Sequence, residues 1–533
     1  MQERAPETIL VSDHVEQRCI DILRAEGFEV SYQPGMSREE LKKMISPFRA
    51  LIVRSSTNVD AEIIGLAPLL KVIGRAGTGV DNIDVDAATR RGIIVMNTPG
   101  GNTVSAAEHT VSMMLALARN IPQAHMSLTR GEWNRKKFVG MEVFEKTIGI
   151  VGLGKIGREV AERCVGLGMH VIGYDPVMQA EVALKLGIEL VSLDLLYQRS
   201  DFITVHTPLT NETRGLLNDG TFAQCKQGVR IVNCARGGIV DEGALLRALN
   251  KGIVAGAALD VFETEPPVAS PLLAHERVIV TPHLGASTEE AQEKVAVQIS
   301  RQVADALRGR GYAGVVNAST LQLAIQEEVK PYLVLAEKLG SLTAQLLPGK
   351  LSSVTVSAQG ELVASSLDLL TGGVLKGVLS RLLPDPVNLV NAPLLAREMG
   401  LTVRELRNPG GRDFVNLLKV RYETDREAVE VEGTVFGASA IRLVRMEGFH
   451  IEVKPDGCLL VYKNIDRPGI LARVGSVLAA SDVNIAGVSL GRSAAGAFAL
   501  TVMNVDGDIP KETLGKLRCL DGVSNVRIVD LGE

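Results

Sequence analysis

The sequence predicts an α/β protein with two doubly wound domains, Rossmann- or flavodoxin-like, followed by an α+β domain and a ferredoxin-like βαββαβ module. Three observations support this class. The chain has 533 residues, which is too long for one hydrophobic core, so several domains are expected. Hydrophobic residues make up 46% of it and aromatic residues only 4%, which is typical of aliphatic parallel sheets. Short apolar runs alternate with helical patterns, as they do in βα repeats.

The first βα series covers residues 9–97, where four- to six-residue apolar runs predict the strands of a parallel sheet. A long helix is expected over residues 103–129. Ser105 and Glu108 have the spacing of a capping box and would open that helix.

A second series begins with TIGIVGLG at residues 147–154 and contains six strand candidates, the number of a complete nucleotide-binding sheet. The sixth candidate, VIVTPH, ends at His283. Ser287 and Glu290 are expected to cap the helix that follows. Apolar residues recur every four positions along that helix and predict one buried face: Val295, Ile299 and Val303.

The last third of the chain has a different pattern. Residues 317–452 are mixed, with alternating strand-like stretches that predict an α+β domain. Residues 457–531 follow the order strand, helix, strand, strand, helix, strand, which is the ferredoxin-like order.

Composition excludes several classes of function. The net charge is −5 with acids and bases interspersed, so no nucleic-acid partner is expected. The six cysteines form no CxxC pair, which favours a reducing compartment and predicts no metal site. We find no signal peptide and no apolar stretch for a membrane, so a cytoplasmic protein is expected.

Gly152, Gly154 and Gly157 match the dinucleotide fingerprint G-x-G-x-x-G between a strand and a helix. Asp175 ends the next strand candidate, where a carboxylate can bond a ribose 2′-hydroxyl and would repel a 2′-phosphate. No arginine follows it directly, because Pro176 and Val177 come next. The pattern therefore predicts NAD in preference to NADP.

Three polar residues follow later strand candidates: Arg236, Glu265 and His283. An imidazole can accept the proton of an alcohol while a hydride leaves for nicotinamide. A carboxylate bonded to the ring would orient it, and a guanidinium would bind a substrate carboxylate through two hydrogen bonds. These residue types suit the oxidation of a 2-hydroxy acid, although each one alone is commoner in a structural role.

Six ordered motifs carry a resemblance to the D-isomer-specific 2-hydroxyacid dehydrogenases. They are GRAGTGVDNID (74–84), GLGKIG (152–157), VHTPLT (205–210), NCARGGIVDEGAL (233–245), ALDVFETEP (258–266) and TPHLGAST (281–288). The chain most resembles the long members that oxidise 3-phospho-D-glycerate to 3-phosphooxypyruvate with NAD, the first step of the phosphorylated route to L-serine. The resemblance implies that His283 is the acid/base, Glu265 its partner and Arg236 the carboxylate clamp.

The resemblance also implies further binding residues. The NAD site would be completed by Thr78, Lys155, Ile156, Thr207, Cys234, Ala235, Asp260, Gly285 and Ala286. The phosphorylated substrate would be held by Arg54, Ser55, Arg75, Gly77 and Arg135, with Arg135 reaching into a partner subunit of a homodimer or homotetramer. It implies a discontinuous substrate-binding domain, 1–98 and 288–316, around an NAD-binding domain, 99–287, with an intervening domain at 317–452 and a regulatory domain at 453–533.

The segment NIDRPGILARVGSVLAASDVNIAGVSL (464–490) resembles an ACT-type regulatory module. In such modules the first strand–helix turn binds an amino acid at a subunit interface. Asn464, Asp466 and Asn484 occupy positions that contact L-serine in serine-inhibited relatives, so L-serine is the expected effector. An assembly module without a ligand is the alternative.

Two alternatives to the main function remain open. A glyoxylate/hydroxypyruvate or D-lactate dehydrogenase would use the same three catalytic residues, but the tail and the arginines disfavour it. An NADH-binding corepressor would bind protein partners, and such proteins tend to have a disordered tail, whereas this tail has the pattern of a folded domain.

Overall fold

The computed structural model describes residues 7–408 and 413–532. The chain divides into two compact units, which we call unit 1 and unit 2. Unit 1 comprises residues 1–14, 19–97 and 299–533, and unit 2 comprises residues 15–18 and 98–298.

The first sheet of unit 1 is parallel, with the strand order β2-β1-β3-β4-β5. This is the flavodoxin-like order of a doubly wound domain. Every residue of its central strand β3 is buried, because helices cover both faces. The strands of this sheet and the helices that connect them are β1 (Thr8–Val11), α1 (Gln17–Ala25), β2 (Glu29–Tyr32), α2 (Arg38–Met44), β3 (Ala50–Val53), α3 (Ala61–Gly65), β4 (Val72–Arg75), α4 (Val85–Arg90) and β5 (Ile94–Met96).

Unit 2 contains a second parallel sheet of seven strands, ordered β12-β11-β10-β9-β6-β7-β8. The chain order reverses between β6 and β9, where such sheets bind their ligands. Its helices are α5 (Thr103–Arg119), α6 (Ile121–Thr129), α7 (Lys155–Gly166), α8 (Ala180–Lys185), α9 (Leu193–Arg199), α10 (Asp219–Phe222) and α11 (Glu242–Asn250), with 3₁₀ turns at Arg135–Phe138 and Pro271–Ala274. Its strands are β6 (Thr147–Val151), β7 (His170–Tyr174), β8 (Ile188–Leu190), β9 (Phe202–Val205), β10 (Val229–Asn233), β11 (Val254–Leu259) and β12 (Val278–Val280).

Three details of unit 2 differ from the sequence prediction. The sheet has a seventh strand, β8, whose three residues are too few for a recognisable pattern. The helix expected over 103–129 is two helices, because Asn120 takes a left-handed conformation (φ 54°) between α5 and α6. Ser105 does not cap α5 either, since its hydroxyl donates to the Gly285 carbonyl and the helix begins after Asn102.

Helix α12 (Glu289–Arg308) begins in unit 2 and continues into unit 1. The predicted apolar face is confirmed, since Val295, Ile299 and Val303 are all buried. The cap was predicted one residue early, because the Thr288 hydroxyl, and not that of Ser287, accepts the Ala291 amide.

The remainder of unit 1 begins with a mixed sheet ordered β14-β13-β15-β16-β17-β18. Only β13 and β14 run parallel. One face of the sheet packs on α13 and α15. The other face carries polar residues. Its elements are a 3₁₀ turn (Ser319–Ile325), α13 (Lys330–Leu346), β13 (Leu351–Gln359), α14 (Glu361–Ser365), α15 (Leu367–Leu382), α16 (Ala392–Glu398), β14 (Thr402–Asn408), β15 (Leu417–Thr424), β16 (Ala428–Phe436), β17 (Ala440–Met446) and β18 (Phe449–Val453).

The last sheet is antiparallel with the order β20-β21-β19-β22, so the ferredoxin-like prediction is confirmed. Two helices pack on it through aliphatic residues such as Val474 and Leu517. Its elements are β19 (Cys458–Ile465), α17 (Ile470–Ala479), β20 (Ile485–Arg492), β21 (Phe498–Val505), α18 (Lys511–Arg518) and β22 (Val523–Asp530).

Within the described residues, no helix combines the length and the apolar character that crossing a membrane requires.

Glycines let α13 and α15 approach closely, and this contact yields a test. A Cβ at Gly377 would lie 2.1 Å from the Glu337 carbonyl oxygen, so Gly377→Ala must push the helices apart. We expect Gly377→Ala to lower the free energy of unfolding by about 1–3 kcal/mol. Gly372→Ala, also in α15, has its nearest neighbour at 4.0 Å and should gain about 1 kcal/mol from helix propensity. Denaturant unfolding of both variants measures the contrast, and equal effects would contradict this account of the helix contact.

Candidate active site

The three predicted catalytic residues lie at one edge of the unit 2 sheet. Arg236 follows β10, Glu265 follows β11, and His283 follows β12. These strands are parallel neighbours, so their carboxyl ends meet at the same edge. The fold thereby gathers three loops that are up to 47 residues apart in the chain, since 283 − 236 = 47.

Glu265 and His283 form a direct pair, with 2.8 Å between Oε2 and Nδ1. The other carboxylate oxygen of Glu265 accepts the Phe262 amide at 3.1 Å, which fixes the carboxylate plane. Burial alone would raise the pKa of Glu265, but the hydrogen bond and charge of His283 hold it below its ordinary value. Glu265 therefore stays ionised and leaves Nε2 of His283 as the nitrogen available for proton transfer.

The Arg236 loop packs against the loop that leads to Glu265. A Cβ at Gly237 would lie 1.8 Å from the Phe262 carbonyl oxygen, so only glycine permits this approach. The Asn233 amide donates to the Arg236 carbonyl at 2.9 Å, and the Arg236 guanidinium donates to the Ala235 carbonyl. These contacts hold the loop backbone at Ala235, Arg236 and Gly237.

Asp260, at the end of β11, holds the loop that carries His283. Its side chain accepts the Thr281 hydroxyl at 2.6 Å, the Leu284 amide at 2.7 Å and the Gly285 amide at 2.9 Å. Its backbone carbonyl accepts the His283 amide at 2.9 Å. Burial would raise the pKa of Asp260, but these hydrogen bonds and one from His109 outweigh it and lower the pKa. A fully buried carboxylate therefore remains charged at the centre of the loop.

His283 has a left-handed backbone conformation, with φ 55°. Such a conformation is uncommon in residues other than glycine and persists only where the surroundings enforce it. The bonds to Asp260 enforce it here and turn the ring toward Glu265.

Sequence reasoning missed three residues that support this loop: Ser105, His109 and Thr281. Ser105 donates to the Gly285 carbonyl at 2.9 Å, and Nε2 of His109 lies 3.2 Å from both the Thr281 hydroxyl and Asp260. The first two lie on α5, far from His283 in the chain, and the polar spacing of Ser105 and Glu108 was interpreted as a helix cap. No sequence signal paired these two residues with the loop that follows β12.

Among the described residues, His109, Cys234 and Asp260 form one group of types that can bind a metal. The Asp260 oxygens already accept hydrogen bonds from the His283 loop. Burial raises the pKa of the Cys234 thiol to about 12, so it is protonated at neutral pH. This chemistry suits a support for the loop better than a metal ligand set.

The sheet edge carries a second histidine, His206, which differs from His283. Burial lowers the pKa of His206 to about 4, so its ring is neutral at neutral pH. Its ring nitrogen lies 3.0 Å from the Thr204 hydroxyl. No carboxylate is recorded against it in the described part of the chain, which distinguishes it from His283 as an acid/base.

The three fingerprint glycines have three different surroundings. Gly152 makes the tight turn after β6, with φ 92°. A Cβ at Gly157 would lie 2.0 Å from the Gly152 carbonyl oxygen, so glycine allows the helix to approach the strand. A Cβ at Gly154 would meet nothing within 4 Å, which leaves the start of α7 open to a ligand. These are the roles that dinucleotide binding requires of the three positions.

Asp175 and Thr207 border the same turn. The Asp175 carboxylate accepts the Leu153 amide at 2.8 Å and the Val177 amide at 2.9 Å. The Thr207 hydroxyl is buried and has no hydrogen-bond partner among the residues that the structure describes. A glycine turn open at a helix N-terminus, an adjacent carboxylate and an unpaired buried hydroxyl together fit NAD. The other NAD residues predicted in unit 2 lie at the same edge of the sheet. Lys155 and Ile156 are the first residues of α7, and the others lie in the loops after β10, β11 and β12: Cys234, Ala235, Asp260, Gly285 and Ala286.

The predicted substrate residues divide between the units. Arg54 follows β3 and Arg75 ends β4, and these neighbouring parallel strands place both arginines at the carboxyl edge of the unit 1 sheet. Gly77 leaves room for Arg75, because a Cβ there would lie 2.2 Å from the guanidinium. Ser55 and Thr78 lie in the same two loops. Arg135 belongs to unit 2, on an exposed 3₁₀ turn.

The structure does not bring the three predicted effector residues together within one chain. Asn464 and Asp466 lie at the end of β19, whereas Asn484 precedes β20, which β21 separates from β19, at the opposite end of the sheet. Asn464 is buried and accepts the Thr501 hydroxyl at 3.0 Å. Asp466 lies 3.4 Å from the Arg492 guanidinium, and Asn484 donates to Asp506 at 2.6 Å.

Three family models match the chain in order. They are the NAD-binding domain of the D-isomer-specific 2-hydroxyacid dehydrogenases (residues 111–285), the D-3-phosphoglycerate dehydrogenase intervening domain (328–447) and the ACT domain (459–520). An Archaeoglobus fulgidus D-3-phosphoglycerate dehydrogenase is 42% identical over 98% of this chain and 100% of its own. The Homo sapiens D-3-phosphoglycerate dehydrogenase is 50% identical over 75% of each chain.

A solved structure of Aquifex aeolicus D-lactate dehydrogenase with NAD and lactic acid is similar to the chain, with a TM-score of 0.50 and 27% identity. It covers 57% of this chain and 96% of its own.

The matched NAD-binding domain and the site geometry define an NAD-dependent dehydrogenase, which confirms the predicted cofactor. The full-length matches extend this to the additional domains. The chain belongs to the D-3-phosphoglycerate dehydrogenase family of the D-isomer-specific 2-hydroxyacid dehydrogenases.

The role of Asp260 yields a prediction. Asp260→Asn places an amide donor among backbone amides that need an acceptor, and a buried unpaired donor costs about 1–3 kcal/mol. We expect kcat to fall about 10- to 100-fold and the melting temperature to drop. Thr281→Val removes one donor and keeps the carboxylate, so its effect should be smaller. Steady-state kinetics and thermal melts test this order, and an unchanged kcat in Asp260→Asn would contradict the loop-holding role.

Proposed function

We propose that this enzyme oxidises 3-phospho-D-glycerate to 3-phosphooxypyruvate with NAD⁺, the first step of the phosphorylated route to L-serine. The observation that carries the proposal is the His283–Glu265 pair at 2.8 Å on the edge that also holds the glycine turn. The relatives named D-3-phosphoglycerate dehydrogenase, which match nearly the whole chain, support this substrate.

Each catalytic residue has one task in the proposed reaction. Bound NAD⁺ supplies the hydride acceptor. His283 takes the hydroxyl proton on Nε2, because its Nδ1 is engaged by Glu265. The ionised Glu265 stabilises the positive charge that the ring then carries. Arg236 binds the substrate carboxylate with its planar fork and thereby selects a 2-hydroxy acid.

His283→Ala tests the acid/base role. Loss of a positioned general base costs about 10²- to 10⁴-fold in rate, so we expect turnover to fall by at least that range. NAD affinity should stay within twofold of wild type, because the glycine turn is untouched. Gly154→Val should have the converse effect on cofactor binding. Its side chain fills the open space at the start of α7 and should abolish NAD binding. Near-normal turnover in His283→Ala with NAD bound would contradict the mechanism.

We further propose that Arg54, Ser55, Arg75 and Gly77 recognise the substrate phosphate, with Arg135 contributed by a partner subunit. Arginine forks and backbone donors are the groups that a phosphate of charge near −2 requires. The shared strand-end edge of Arg54 and Arg75 supports this assignment.

Substrate preference tests the two arginines. We expect Arg54→Ala and Arg75→Ala each to lower kcat/KM for 3-phospho-D-glycerate at least tenfold while D-glycerate changes little. Arg49→Ala, at the opposite end of β3, is the matched control and should leave the preference unchanged. Initial rates with NAD⁺ across 3-phospho-D-glycerate, D-glycerate and D-lactate, and with NADH on glyoxylate, also separate this function from the related dehydrogenases. An unaltered preference in both variants would refute the assignment.

The remaining proposals concern assembly, regulation and location. Exposed apolar residues in α6 and in the segment that follows it support a homodimer or homotetramer that forms through this surface: Ile121, Met126, Leu128, Trp133, Val139 and Phe144.

We assign an L-serine site to Asn464, Asp466 and Asn484, supported by the matched ACT domain. Six free thiols favour a reducing compartment such as the cytoplasm. The four-domain division predicted above remains part of this proposal.

A further inference from the structure

The face of the six-stranded sheet that does not pack on α13 and α15 carries a row of polar residues. Ser357 on β13 pairs in register with Lys419 on β15, Lys419 with Glu432 on β16, and Glu432 with Arg445 on β17. Register partners share one face of a sheet, so the four side chains form a continuous row. The alternate residues of these strands point into the helix-covered core, where Val420 and Val431 are buried.

A cavity of about 220 Å³ opens over this row. Its walls also include Gln359, Asn408, Asp413 and Phe414, and we call it the row pocket. Pockets for drug-sized ligands measure about 300–1,000 Å³, so the row pocket suits a smaller molecule.

The charged groups of the row pocket are balanced. Two cations, Lys419 and Arg445, line it together with two carboxylates, Asp413 and Glu432. Glu432 is only 3% exposed and lies between the cations, 3.3 Å from Lys419 and 3.2 Å from Arg445. Burial alone would lower the pKa of Lys419, but Glu430 and Glu432 raise it, so the ammonium stays charged. A ligand that carries only negative charge would be repelled by the two carboxylates of the pocket, and a ligand that carries only positive charge would be repelled by the two cations.

Arg445 has hydrogen-bonding capacity left over. One terminal nitrogen donates to Glu432, and the other lies 3.2 Å from His450 and 3.6 Å from Asp413. Its Nε is buried and has no hydrogen-bond partner among the described residues. Leaving a buried charged donor unpaired is costly, and Arg445 lines the pocket, where its guanidinium is a partner for a ligand carboxylate.

We propose that the row pocket is a binding site for a small zwitterion of the α-amino-acid class. The ligand carboxylate binds Arg445 and Lys419, and the ligand ammonium binds Glu432 and Asp413. The site is separate from the ACT-domain residues Asn464, Asp466 and Asn484, and it does not depend on the dehydrogenase reaction.

The experiment is calorimetry and thermal shift on the full chain with each standard L-amino acid and with inorganic phosphate as an anion probe. At least one amino acid should bind with one row-pocket site per chain. Arg445→Lys removes the fork and Lys419→Met removes a charge, so each should weaken that binding at least tenfold. Glu432→Gln should weaken amino-acid binding and improve phosphate binding, because it removes the central negative charge.

Two matched variants complete the design. Arg421→Lys lies two residues from Lys419 on β15 and outside the pocket walls, so it should bind like wild type. Asp466→Ala, in the ACT domain, should leave the row-pocket site intact. The proposal is overturned if no amino acid binds, if phosphate alone binds, or if binding survives Arg445→Lys and Lys419→Met but is lost in Asp466→Ala. Circular dichroism and melting temperature establish that each variant is folded.

Discussion

The candidate active site at the edge of the unit 2 sheet depends on one buried carboxylate, that of Asp260. Two backbone amides and one hydroxyl of the following loop donate to it, and the loop carries His283 in a left-handed conformation. An unpaired charge in such a place would be costly, so the carboxylate and the loop stabilise each other. The His283 ring is therefore positioned by hydrogen bonds between its loop and Asp260, and not by a contact of Asp260 with the ring itself.

The same edge shows how one fold gives two histidines different properties. His206 is neutral because burial penalises its charged form and no carboxylate of the described residues pairs with it. His283 is half-exposed and paired with Glu265, whose charge can compensate a protonated ring. The environment, and not the residue type, thus decides which imidazole is suited to exchange a proton with substrate.

The six-stranded sheet of the intervening domain has one aliphatic face and one charged face. Aliphatic residues of its sheet face two helices that glycines allow to approach closely, as Gly340 and Gly377 do. The opposite face carries charges in register, so cations and carboxylates neutralise one another across neighbouring strands. A carboxylate as buried as Glu432 is tolerated because cations lie on both sides of it.

Local pattern in the sequence was sufficient for the strand–helix repeats, the ferredoxin-like tail, the glycine turn and the identity of His283, Glu265 and Arg236 as candidates. Those features depend on residues close together in the chain, whose periodicity and spacing can be recognised directly. The break at Asn120 and the short strand β8 could not be recognised, since each rests on very few residues. The support of the His283 loop by Ser105 and His109, the packing of Gly237 and the charge row of the intervening sheet were decided only by the tertiary structure, because strand order and register bring together residues that are distant in the chain.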